Sequence, residues 1–219
     1  MTTSETASEP FQRARRPEQK RQRQEAILGA ARELALRDGV RAVSLAGIAA
    51  RARIDKSALL RYFETREQIF LELTAREWAP WVGALHDGLD GAAPGSAGLV
   101  ADVVARSFGD RPLFCDLLAH TPLNLERNVS PETGRGSKLT SLAAVDEAAA
   151  VVHRALPDLT AIECLEFITA LAELFASDPA LALACVDLAP RLRRTADVLL
   201  AGLIPSRPCR EPRPEPEEM

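Results

Sequence analysis

Lysine, tyrosine, cysteine and long apolar runs are all scarce in this 219-residue chain. No window approaches 18 uninterrupted apolar residues, so no transmembrane helix is expected. The four cysteines (Cys115, Cys164, Cys185, Cys209) stand far apart and form no C-x-x-C or Cys/His metal spacing. They read as reduced thiols of a cytoplasmic protein, three of them core fillers. The opening segment, Met1 to Pro10, is polar and has no apolar core, which argues against a secretory signal. Catalytic signatures are missing as well: there is no G-x-S-x-G, Walker A, H-E-x-x-H or G-x-G-x-x-G. Gly134-Arg135-Gly136-Ser137-Lys138 lacks phosphate-loop spacing and reads as a loop, and His86, His120 and His153 are scattered. No enzyme, metal or cofactor is therefore expected. Only Lys20, Lys56 and Lys138 are lysine among 27 basic residues, which fits a GC-rich genome better than any mechanism.

What is present is an ordinary soluble composition, 47% apolar and 26% charged, on a chain long enough for one or two domains. The net charge of −4 hides an asymmetry. Residues 11–78 carry 15 Lys/Arg against 9 Asp/Glu, whereas residues 79–219 carry 12 against 20. A basic front on an acidic body suggests an N-terminal module that faces an anionic partner.

Helical spacing runs throughout, and nothing reads as a strand. Pro17 suits the first turn of a helix that ends at Asp38-Gly39, with Ile27, Ala31, Leu34 and Ala35 on its apolar face. Two short helices follow: Ser44 caps 45–52 and Asp55 caps 56–63. Thr65-Arg66-Glu67-Gln68 is a capping box opening a helix to about Leu89, which Pro80 should kink or split. Further helices are expected at 97–109, 112–120, 122–128, 138–155, 160–176 and 180–203. The expected fold is all-α: a 17–66 helix-turn-helix DNA-binding domain and a 67–204 helical ligand-binding and dimerisation domain. Tails at 1–16 and 205–219 are expected to be disordered.

Two short helices joined by a tight turn need a third behind them, and 17–38 supplies it. Ile48, Ala49, Ile54, Leu59 and Phe63 would hold the pair together. The exposed side of the second helix then carries Lys56, Ser57, Ala58, Leu60, Arg61 and Tyr62. Arg61 suits paired hydrogen bonds to guanine, while Ser44, Lys56, Ser57, Tyr62 and Arg66 suit phosphates.

The run Val43-Ser44-Leu45-Ala46-Gly47-Ile48-Ala49-Ala50-Arg51-Ala52, followed by Lys56-Ser57-Ala58-Leu59-Leu60-Arg61-Tyr62-Phe63-Glu64-Thr65-Arg66-Glu67, closely resembles the signature of the tetracycline-repressor (TetR) family. The match covers roughly residues 20–72. It implies an all-helical homodimer that represses transcription and releases a palindromic operator when a small molecule binds the C-terminal domain. The family's DNA-contacting positions fall on Ser44, Lys56, Ser57, Ala58, Leu60, Arg61, Tyr62 and Arg66. Two departures stand out: Arg53 replaces the usual turn glycine, and Leu60 replaces a frequent tyrosine. A left-handed backbone at Arg53 would cost roughly 1–2 kcal/mol.

For the body, the resemblance implies a dimer interface on the last two helices, assigned to Ile162, Leu165, Phe175, Leu188, Leu192 and Leu199. Trp81, Phe108, Phe114, Leu118, His120 and Asn124 are the candidates for an effector cavity. Trp78 fits either that cavity or packing against the DNA-binding module. The competing reading is a helical protein that binds small molecules or partners without specific DNA recognition.

Overall fold

The computed structural model describes residues 9–121, 128–177 and 188–204, with side chains from residue 17 and excluding 175–177 and 188. Among the described residues there are helices and no strands: α1 Glu9–Asp38, α2 Leu45–Arg51, α3 Lys56–Leu59, α4 Arg66–Leu89, α5 Ala97–Gly109, α6 Pro112–His120, α7 Pro131–Ala155, α8 Ala161–Ser177 and α9 Leu188–Leu203. A single 3-10 turn, Val40–Ala42, joins α1 to α2. No described helix is long and apolar enough to cross a membrane.

Several helices differ from those the sequence suggests. α1 begins at Glu9, so Pro17 lies inside it and part of the expected 1–16 tail is helical. α4 is not split at Pro80. The proline is exposed, so the carbonyl it leaves without an intrahelical donor sits on the wet side, while Trp78, Trp81 and Val82 anchor the same turns in the core. α7 starts at Pro131, where Ser130 accepts from the Thr133 N–H, so Gly134–Lys138 belong to a helix and not to a loop. The expected 122–128 helix and the 205–219 tail lie outside the described residues, apart from Asn128.

Two cores organise the chain. The head core gathers Ile27, Ala31 and Leu34 of α1, Ile48 and Ala49 of α2, Leu59, Phe63, and Ile69, Phe70, Leu71 and Leu73 of α4. The body core gathers the second half of α4 with α5 and α7 to α9. Gly88 lets α4 approach α5 closely, since a Cβ there would stand 2.6 Å from Val103 Cγ1.

α6 belongs to both cores. Its Leu113 and Leu117, one helical turn apart, pack into the head, whereas Phe114, Cys115, Leu118 and Ala119 pack into the body. Between them the buried Asp116 accepts the Val40 N–H at 2.6 Å, with His120 Nε2 3.3 Å from its other oxygen. The head core therefore does not close at residue 66; it needs side chains from α4 and α6.

Candidate nucleic-acid interface and effector cleft

The reading surface depends on how α2 hands over to α3. Ser44 accepts from the Gly47 N–H at 3.1 Å and caps α2. At the other end the Ile54 N–H bonds the Ala49 carbonyl and the Arg53 N–H bonds the Ala50 carbonyl. That pair of bonds is a Schellman stop, with Arg53 in the position that needs left-handed backbone. Its φ is +55°, unique among described non-glycine residues. The turn usual with glycine is thus kept, with arginine carrying the strain.

Asp55 stands at the start of α3 but makes no side-chain capping bond, contrary to expectation. The α-helical part of α3 ends at Leu59, and tighter i→i−3 bonds continue the winding: Arg61 to Ala58 and Tyr62 to Leu59. Ile48, Ala49, Leu59 and Phe63 are buried beneath, so Lys56, Ser57, Leu60 and Arg61 face solvent, with Ala58 and Tyr62 half-buried at the margin. Ser44 is exposed beside them.

Arg66 is engaged within the protein. Its Nε donates to the Val43 carbonyl, Nη2 to the Val40 carbonyl, and Nη1 pairs with Glu67 at 3.2 Å, while the guanidinium lies 4.7 Å from the Phe70 ring centre. It pins the 3-10 turn to α4 and leaves little for a phosphate. Other arginines behind the reading face tie helices together: Arg76 pairs with Glu25 and Glu72, Arg32 with Glu77 and Arg51 with Glu33. Hydrogen bonding to Arg76 holds the Glu25 carboxyl below its ordinary range.

No ion pair among the described residues involves Lys20, Arg23, Lys56 or Arg61. Lys20 and Arg23 of α1 line one surface hollow with Tyr62. α1 thereby adds cations beside α3 that the motif reading missed; the basic run from Arg13 to Arg23 was their only signal.

In the body, Trp81, Phe108 and Phe114 are fully buried and close on one another, with centroids 4.8 to 6.1 Å apart. The Trp81 indole donates to Ser107 Oγ at 3.0 Å. These three candidates form a filled aromatic cluster. The open space lies next to it, a cleft of about 180 Å³ between α4, α6, α7 and α8. Trp78, Leu118 and Val145 contribute to its wall, and Lys138 and Glu173 are exposed members of the lining. Of the expected cavity residues Leu118 lines it, as does Trp78, which the sequence left between the cavity and the head; His120 instead adjoins Asp116, and Asn124 lies outside the described residues.

The last two helices present two faces. Leu192, Ala196 and Leu200 of α9 are buried inside the protomer, together with Cys164, Phe167, Ile168 and Leu171 of α8. Ile162 and Val198 are 69% and 72% exposed. Leu165 and Leu199 are partly buried, and a shallow apolar groove runs between α8 and α9 past Leu199 and Leu203. The side chains of Phe175 and Leu188 lie outside the described residues. Burial pushes the Cys164 thiol up, and Cys115 is buried as well, so both are poor nucleophiles. No cluster of described residues could hold a metal ion.

A short helix pair with an exposed basic face, mounted on a helical body, defines a helix-turn-helix regulator. The model of the tetR family of bacterial regulatory proteins matches residues 27–73, and that of the tetracyclin repressor-like C-terminal domain matches residues 75–176. The chain belongs to this family of transcriptional regulators. Among curated protein sequences none matches it significantly.

Solved structures share the fold at low identity. The fatty acid degradation regulator FadR of Bacillus halodurans superposes with a TM-score of 0.60 at 15% identity, over 83% of this chain and 96% of its own. FadR of Thermus thermophilus, solved with lauroyl-CoA, gives 0.53 at 20% identity, over 87% and 98%. FadR of Bacillus subtilis, solved with stearoyl-CoA, gives 0.55 at 16%, over 81% and 98%.

Proposed function

We propose that this protein is a homodimeric repressor that reads a palindromic operator and leaves it when a small molecule occupies the cleft beside Trp78. The observation that carries the reading is the solvent-facing set Lys56, Ser57 and Arg61, in no ion pair among the described residues and held on a fully buried Leu59. Arg61 suits guanine O6 and N7, while Lys56, Ser57, Ser44 and Tyr62 suit the backbone, joined by Lys20 and Arg23. Ala58 and Leu60 would meet thymine methyl groups. The apolar strip of Ile162, Leu165, Val198 and Leu199 would be covered by a second copy, which sets two heads about one DNA turn apart.

Coupling would run through the two helices that enter both cores. Leu118 and Thr121 lie at the cleft, while Leu113, Asp116 and Leu117 hold the head. A ligand that shifts the end of α6 would therefore move the 3-10 turn and, with α4, the spacing of the heads. A coupling of about 1–3 kcal/mol gives a 5- to 150-fold loss of operator affinity.

The test is a genomic DNA pull-down at physiological salt with Arg61→Ala as control. A palindromic motif enriched by the wild type and lost in the variant is expected. Enrichment without a motif, unchanged in the variant, would overturn the reading.

A further inference from the structure

Among the described residues, positive φ falls on Gly39, Gly91, Gly95 and Arg53. The chain thus uses glycine for this backbone except in the turn that delivers α3. The conformation there is set from both sides and not by the arginine side chain. The Arg53 and Ile54 N–H groups donate to the Ala50 and Ala49 carbonyls at 3.1 and 3.0 Å, and Ile54 packs against the head core. Glycine would make the same bonds without a Cβ pressed towards the following carbonyl.

Within the protomer no contact offsets that strain. Arg53 is exposed, and its guanidinium makes neither an ion pair nor a hydrogen bond among the described residues. Asp55, also exposed, is not its partner and makes no capping bond. Arg51 at the end of α2, by contrast, is tied to Glu33, and Arg66 to the Val40 and Val43 carbonyls. A strained residue with no internal contact to compensate it points to a partner outside the chain.

Its position supplies that partner's chemistry. In a helix-turn-helix the first helix crosses the DNA backbone, and the start of the second enters the major groove. Arg53 stands where the chain passes from one to the other, ahead of Lys56 and off the base-reading face of α3. Guanidinium presents a planar fork of donors that matches phosphate. Resting on the reading of the head as an operator binder, we infer that Arg53 is a further DNA contact, its guanidinium holding a backbone phosphate beside the start of α3. The contact fixes the head on the duplex and carries no base preference.

The experiment measures binding of the full-length protein across a salt series to two duplexes, the palindrome enriched in the genomic pull-down and a random sequence. Arg53→Gly is the first variant, and Arg53→Asn, uncharged but tolerant of left-handed backbone, is the second. Arg135→Ala removes the same charge from the exposed side of α7 and is the control. Arg53→Gly should melt no lower than the wild type, yet bind the palindrome at least about tenfold more weakly at physiological salt. That is the scale of charge-assisted hydrogen bonds lost on both protomers. The slope of log affinity against log salt should become shallower by about 0.9 for each protomer. Arg53→Asn should reproduce both changes, and the loss should be equal on palindromes altered at single base pairs.

An affinity and salt slope equal to those of Arg135→Ala would overturn the inference, as would a loss confined to one base pair. So would a destabilised Arg53→Gly protein, because the side chain then works inside the chain. The random duplex separates the two levels. If no motif is enriched, the operator reading fails; a shallower slope for Arg53→Gly on the random duplex still supports the phosphate contact, and an unchanged slope removes it. If a motif is enriched and lost in Arg61→Ala while Arg53→Gly binds as the wild type does, only the role of Arg53 is wrong.

Discussion

Around Val40 in the head, Asp116 takes the backbone N–H, Arg66 donates to the Val40 and Val43 carbonyls, and Ser44 and Thr65 cap the helices on either side. In the body, by contrast, Trp78 Nε1, Arg111 Nε and His153 Nδ1 are buried without a hydrogen-bond partner, and no head atom shares that state among the described residues. A buried donor left unmet costs about 1–3 kcal/mol. The polar groups around Val40 are thus committed to one another, whereas the body keeps three buried nitrogens unpaired among the described residues.

The contrast is sharpest at Asp116. Asp116→Ala strips the partner from a backbone N–H whose residue is 1% exposed, so unfolding free energy should fall by about 1–3 kcal/mol in denaturant titration. A loss within experimental error would mean that water replaces the carboxylate and that the head is not saturated. In the opposite direction, Arg53→Gly should relieve the left-handed backbone and raise stability by roughly 1 kcal/mol, less than the full strain because glycine also frees the unfolded chain. Thermal melting checks it, and a destabilised variant would show that the arginine side chain repays its own strain.

The smallest effect belongs to the cap of α8. The Thr160 backbone N–H, followed by its hydroxyl, holds the Glu163 carboxyl below its ordinary value. A depressed carboxyl contributes stability above its unfolded pKa and loses it as pH falls through the folded value. Glu163→Gln should therefore lower neutral-pH stability slightly, and the two proteins should converge as pH falls and the wild-type carboxyl takes up its proton. Identical acid profiles for the two proteins would show that the box adds nothing.

Much of the head was legible because its signals are local. The caps at Ser44 and Thr65 and the 3.6-residue spacing of Ile27, Ala31 and Leu34 are each decided within a few positions. The contacts of Arg66 were hidden for the complementary reason. An arginine behind a capping threonine looks exposed until the carbonyls of Val40 and Val43 arrive from more than twenty residues away. The cleft was the least legible part. Sequence identifies Trp78, Trp81, Phe108 and Phe114 as aromatic, but only packing decides that three of them fill one another's space and the fourth lines a void. On α9 the inward stripe is Leu192, Ala196 and Leu200, which turns Val198 and Leu199 towards the outside. A run so rich in apolar residues fits either rotation until its neighbours fix it.

The sharing of α6 between the two cores limits how this regulator can be dissected. Cutting between the two family matches, near residue 74, would remove Leu113, Asp116 and Leu117 from beneath the head and leave its core open on one side. The reading head is thus not a portable module. A chimera that grafts it onto another body inherits DNA recognition only if the recipient supplies an equivalent pair of leucines and a carboxylate at the same height.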